Sequence, residues 1–148
     1  WQFGKVEQGF VSLWVWRHLN RLKLKYIGFG GKGKQVRDVL HIQDLCDLIL
    51  IQIQKMKKIN NNLMNIGGGF SNSLNLLQLT KLTEDVTKNK VKIGSIKKTS
   101  SYDVPYYISN LGYVKKLYRW KPKRNLNKII SDIYFWMKPN INNLKRYF

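Results

Sequence analysis

The sequence predicts a mixed α/β fold. Helix-like amphipathic runs alternate with short strand-like runs along the whole chain, Gly- and Asn-rich turns separate them, and no segment repeats another. At 148 residues the chain is the size of one domain and long enough to bury a core.

Each element has its own signal. Residues 6–21, VEQGFVSLWVWRHLNR, are apolar through the middle and basic at the end, as a buried helix with a favourable dipole would be. LKYIGF (24–29) reads as a strand entering a glycine loop, and VRDVLHI (36–42) as a short, largely buried strand. Asp44 is placed to cap a helix over LCDLILIQIQKM, KINNN (58–62) is a polar turn, and LMNI (63–66) a short strand. GGGFSN (67–72) is a loop, after which Ser73 caps a helix with the stripe Leu76, Leu77, Leu79 and Leu82. KVKIGSI (90–96) alternates as an exposed or edge strand, and Pro105 confines VPYYI to a strand end or edge. Ser109 is the expected cap of a short helix ending near Tyr118. Asn125 opens the last helix, with the stripe Leu126, Ile129, Ile130, Ile133 and Trp136.

Composition excludes several classes. A chain 43% hydrophobic and 13% aromatic is too apolar for disorder. No apolar run approaches the roughly 20 residues that span a bilayer, and the opening WQFGKVEQGF is no signal peptide. The lone Cys46 rules out an intrachain disulfide and a Cys-clustered zinc site, which fits a cytoplasmic protein. The net charge is +19 and the pI about 10.2. Its lysines are dispersed, alanine is absent, and Asn, Ile and Lys abound, the bias of an A/T-rich coding sequence. That origin is favoured over a nucleic-acid footprint, so no specific nucleic acid and no membrane is expected as partner.

GFGGKGKQVR (28–37) fits two phosphate signatures. Gly28, Gly30 and Gly33 match G-x-G-x-x-G, while Gly28, Gly33 and Lys34 match the start of a P-loop. Both need a helix next, and a P-loop needs Ser or Thr where Gln35 stands. A turn between strands is the favoured reading. The second glycine run, IGGGFSNS, has a helix after it and could seat an anion, although a tight connection is the commoner use. Tyr134 and Lys138 fit Y-x-x-x-K but sit on the terminal amphipathic helix, where packing and solvation explain them. His18 and His41 have no carboxylate at ligand spacing. Arg37, beside Asp38 in an apolar strand after a basic loop, is either a phosphate fork or half of a buried ion pair.

Five segments, WQFGKVEQGFVSLWV, YIGFGGKGKQVRDVLHIQDL, MNIGGGFSNSLNLLQL, DVPYYISN and RWKPK, occur in an order and spacing that resemble the C-terminal half of a known family. These are the NAD-dependent nucleotide-sugar epimerases and dehydratases of the extended short-chain dehydrogenases. The resemblance is nearest to the CDP-paratose 2-epimerase branch. It covers nearly all of residues 1–138, with GKQVRDVLHIQDL the most specific part, and leaves 139–148 as a polar, basic tail.

The resemblance implies the end of a Rossmann sheet interleaved with a small mixed α/β substrate domain. It also implies a fragment. The NAD phosphate loop and the catalytic Tyr-x-x-x-Lys of the family lie upstream of the matching segments, so NAD would be bound mainly elsewhere and these residues alone would be inactive. Arg37 matches a family arginine on the substrate diphosphate, Gln2 and Phe3 a segment lining nicotinamide and sugar, and Gln8 and Gly9 one lining the nucleotide pocket. A second family arginine falls at the position of Pro105, a departure that leaves the diphosphate to Arg37, with Lys32 or Lys34 as helpers. The implied ligand is a nucleotide-diphosphate sugar, CDP-linked by resemblance. The implied chemistry is transient oxidation and re-reduction of a sugar carbon by an enzyme that commonly dimerises. Alternatives are a 4,6-dehydratase or decarboxylating relative, a degenerate non-catalytic protein, or a basic nucleic-acid-binding domain.

Overall fold

A computed structural model describes residues 9–57 and 63–148. In chain order it contains α1 (Phe10–Leu19), β1 (Leu24–Ile27), β2 (Val36–Asp38), α2 (Ile42–Lys55), β3 (Ser73–Asn75), α3 (Leu76–Thr87), β4 (Ile93–Ile96), β5 (Tyr106–Tyr107), α4 (Gly112–Tyr118), α5 (Leu126–Met137) and α6 (Ile141–Leu144). Single 3₁₀ turns lie at Phe29–Gly31, Phe70–Asn72 and Lys145–Tyr147. The α/β expectation holds. β1 and β4 form a parallel pair with Leu24 opposite Ile93, while β2 runs antiparallel to β3 and parallel to β5.

The larger core is where the apolar stripes of α1, α3 and α5 meet. Val15, Leu79, Ile130 and Met137 are fully buried there, each stabilising the fold by about 1.5–3 kcal/mol. Trp14 enters the same core and satisfies its indole N–H on the Thr80 hydroxyl at 3.0 Å. A smaller core, Leu48, Val114, Tyr118 and Trp120, lies under α2 and α4. Trp14, Trp16 and Leu48 are buried, because α3, α5 and α4 supply their neighbours within this chain. Ile49 remains exposed.

Several local expectations shift. α2 starts at Ile42 and its cap is His41, whose Nδ1 accepts from the Gln43 amide at 3.0 Å. Asp44 is instead buried in the first turn. α3 is capped by Asn75, in a reciprocal box with Gln78, because Ser73–Asn75 is drawn into a strand against β2. Residues 63–66 form no strand among the described residues, since β3 and β5 already occupy both sides of β2. Asn125 caps α5 as expected, its side chain accepting from the Lys128 amide. The terminal segment is not a free polar tail. Leu144 is buried, and Phe148 stacks on Trp16 with ring centroids 4.7 Å apart.

The glycine loop turns the chain from β1 to β2. Gly31, with φ +69°, sits where any Cβ would run into the Ser95 side chain. The loop ends by placing the Gly33 carbonyl over the start of α3, where it accepts from the amides of Leu76 and Leu77 at 3.0 and 3.4 Å.

Candidate functional site

β2 separates two neighbourhoods, because successive side chains on a strand point to opposite faces. Arg37 faces one side. Its Nη1 donates to the Val36 carbonyl at 2.8 Å and its Nη2 to the Val104 carbonyl at 2.6 Å. Asp103 lies 3.7 Å from Nη2, with Arg37 25% and Asp103 48% exposed. The guanidinium is therefore aimed and half-open to solvent, and its ionic partner sits on a loop. Tyr107 is its register neighbour on β5. Pro105 sits at the strand start, as its missing N–H requires, and its carbonyl accepts from Val36 N.

Asp38 faces the other side. Its Oδ2 accepts from the Gly69 amide at 2.8 Å and so ties the GGG loop to β2. That loop fits because Gly68 has no side chain; a Cβ there would strike the Val39 backbone. Next to Asp38 opens a cleft of about 340 Å³, bounded by Gly9 and Ser12 at the start of α1, by His41 and Leu45, and by Ile133 of α5. Its wall is largely apolar.

His41 closes the cleft and is buried. With Nδ1 accepting from the Gln43 amide, the neutral ring carries its proton on Nε2, which faces Asp132 Oδ2 at 3.3 Å. Burial lowers its pKa below the ordinary histidine value, outweighing the opposing pull of Asp132. His18, enclosed in the larger core, accepts no ligand role either. Its Nδ1 bonds the Trp14 carbonyl at 2.8 Å, and desolvation lowers its pKa too. Among the described residues no group of His, Cys, Asp and Glu could hold a metal ion.

The candidates from sequence thus separate. Gly9 lines the cleft, holding a left-handed conformation as it turns the chain into α1. Arg37 lies across β2 from Asp38, and Lys32 and Lys34 are exposed on the glycine loop. Gln2, Phe3 and Gln8 lie outside the described residues. Tyr134 packs against the larger core with the exposed Lys138 ammonium 5.7 Å from its ring centre, the packing arrangement expected. Sequence reasoning missed His41 as a cap and Asp103 as the partner of Arg37. The second lies 66 positions away, beyond any periodicity.

The described residues do not fit a dinucleotide. The first glycine run leads into β2, not a helix, and the first amides of α3 are already taken by Gly33 and Asn75. No helix among the described residues is long and apolar enough to cross a membrane.

No protein-family model matches the chain. It is 32% identical over 138 residues to the CDP-paratose 2-epimerase of Salmonella typhi, a match covering 91% of this chain and 40% of the relative. Among solved structures it superposes on UDP-glucose 4-epimerase of Thermotoga maritima, crystallised with UDP-glucose, at a TM-score of 0.74 and 24% identity, over 90% of this chain and 40% of that one. The dTDP-glucose 4,6-dehydratase of Bacillus anthracis, in complex with NAD, gives 0.73 and 22% over 93% of this chain and 41% of that one. The likeness to both structures is one of fold. The chain thus spans about two fifths of the length of its relatives. In sequence it matches a nucleotide-sugar epimerase, and in fold the C-terminal part of the NAD-dependent epimerases and dehydratases of the extended short-chain dehydrogenase family.

Proposed function

We propose that this chain is the sugar-nucleotide-binding part of an epimerase that acts on a nucleotide-diphosphate sugar, with a CDP-sugar as first candidate. The observation that carries it is the 32% identity to an epimerase over 91% of the chain. NAD is the cofactor of the family, but the described residues offer it no seat, and no redox step is assigned to them.

Their task is binding and orientation. Arg37 supplies a planar cation held by two carbonyls, and a diphosphate would take the exposed side of its fork. Neutralising two phosphates with one arginine, since Pro105 replaces a second, leaves the charge balance to Lys32 and Lys34 at the loop. An anchor of this kind fixes the nucleotide while the sugar stays free to present either face. The 32% relative favours epimerisation over dehydration.

Calorimetric titration of the protein with CDP, UDP and a CDP-sugar tests the reading. We expect CDP and its sugar to bind, and Arg37→Ala to weaken both by about tenfold or more. Equal binding by the variant would remove Arg37 from the site, and no binding of any nucleotide would overturn the function.

A further inference from the structure

Arg37 has more donors than its partners use. Each terminal nitrogen of a guanidinium bears two N–H groups, and Nη1 and Nη2 spend one each, on the Val36 and Val104 carbonyls. The Asp103 carboxylate, 3.7 Å from Nη2, lies beyond hydrogen-bond reach and consumes none of the rest. It stands beside the fork without filling it.

The loop fixes the carboxylate in that place. The Asp103 amide donates to the Ser100 carbonyl at 3.1 Å and closes a turn, inside which Tyr102 N donates to the Ser100 hydroxyl at 3.4 Å. Two residues on, the Pro105 carbonyl is bound by Val36 N at 3.0 Å, and the proline ring restricts Val104 to extended backbone. Asp103 is thus held between a closed turn and a pinned strand start. It also runs against the charge of its surroundings. The chain has eight acidic residues against 27 basic ones, and Asp103 is the only acidic residue between Asp85 and Asp132.

A carboxylate beside a cation that receives phosphate weakens the binding of every anion, and more so the greater the anion's charge. Charge is also what separates a sugar nucleotide from the free nucleotide. The terminal phosphate of a nucleoside diphosphate undergoes a second ionisation near pH 6, which its sugar ester cannot. At neutral pH the free nucleotide therefore carries about one negative charge more.

We propose, resting on the function above for the class of ligand, that Asp103 is a specificity-determining residue that disfavours free nucleoside diphosphates at Arg37 and so favours their sugar esters. The selectivity comes from repulsion of the wrong ligand and needs no contact with the sugar. Arg37 keeps both carbonyl props without Asp103, so the fork stays aimed when the carboxylate is removed. Asp103 is half-exposed, and its replacement opens no core.

The test measures, by calorimetry at neutral pH, the affinities of CDP, CDP-glucose, UDP and UDP-glucose for the protein and for Asp103→Asn and Asp103→Glu. In Asp103→Asn the affinity for free nucleotide relative to its glucose ester should rise about threefold or more. Asp103→Glu keeps the charge and should keep the ratio of the unaltered protein. An unchanged ratio in Asp103→Asn overturns the proposal. Equal weakening of both ligands overturns it too, because Asp103 would then only prop Arg37. Nucleotide binding with an unchanged ratio counts against this inference alone, whereas no binding of any of the four overturns the proposed function and this inference with it.

Discussion

Arg124 donates through one nitrogen, Nη1, to Asp44 at 2.6 Å and to Asp47 at 3.0 Å. Asp44 is completely buried and also accepts the backbone amides of Lys123 and Arg124, while its own carbonyl takes the Trp120 indole N–H. One carboxylate therefore fastens the WKPKR segment to the start of α2. Asp44→Ala would leave two part-buried amides without an acceptor and the arginine without its inner partner. A loss of about 3 kcal/mol is expected in urea unfolding, and a change below about 1 kcal/mol would show that solvent replaces the carboxylate freely.

The two histidines make stability fall in mild acid. Burial lowers the pKa of both His41 and His18, so between the unfolded value near 6.5 and the lower folded value the unfolded chain binds more protons. Stability is then complete above about pH 6.5 and declines as pH falls towards the folded values. Protonating His41 also removes the acceptor that caps α2. His41→Asn keeps a capping oxygen and cannot titrate, so its thermal midpoint should fall less between pH 7 and 5 than that of the unaltered protein. Parallel profiles would clear His41 of the effect.

Asp47 titrates lower in the acid range. The hydrogen bond from Arg124, then that from Gln43, holds its carboxyl below the usual aspartate value. Its contribution is present above the unfolded pKa and is lost as pH drops through the folded one. Asp47→Asn should therefore flatten the acid limb of the stability profile below about pH 4 and leave the limb near pH 6 unchanged.

Gly68→Ala should destabilise the protein by about 1–3 kcal/mol, because its Cβ meets backbone, which cannot swing aside as a side chain would. The same change at Gly94 meets only ordinary van der Waals neighbours and serves as the control. Equal midpoints for the two variants in urea would refute the close approach.

Removal of residues 141–148 would uncover Trp16 and delete Leu144 from the core. An expected cost of about 2–4 kcal/mol distinguishes a packed terminus from a dispensable one.

What the sequence made legible follows from locality. The stripe Ile129, Ile130 and Ile133 and the Asn125 cap were readable because helix periodicity and capping act over a few residues. Asp44, expected as the cap of α2, yields that place to His41, because both can accept an amide and Asp44 is held instead by Arg124, 80 residues on. Ser73 lost its cap to Asn75 through strand pairing with Asp38, again a distant contact. At the site, Arg37 stood out by chemistry, a lone cation among apolar neighbours. Its holders Val104 and Asp103 arrive through the β2–β5 pairing, which leaves no periodic trace.

The Gly33 carbonyl gives the glycine loop a second consequence. By resting on the first amides of α3 it performs, from within the chain, the service that a bound phosphate renders in a nucleotide loop. The span from β1 to Gly33 then works as a ruler of fixed length. Adding or deleting one residue there would lift the carbonyl from its seat, so a change made in a surface turn would be felt at the root of a core helix.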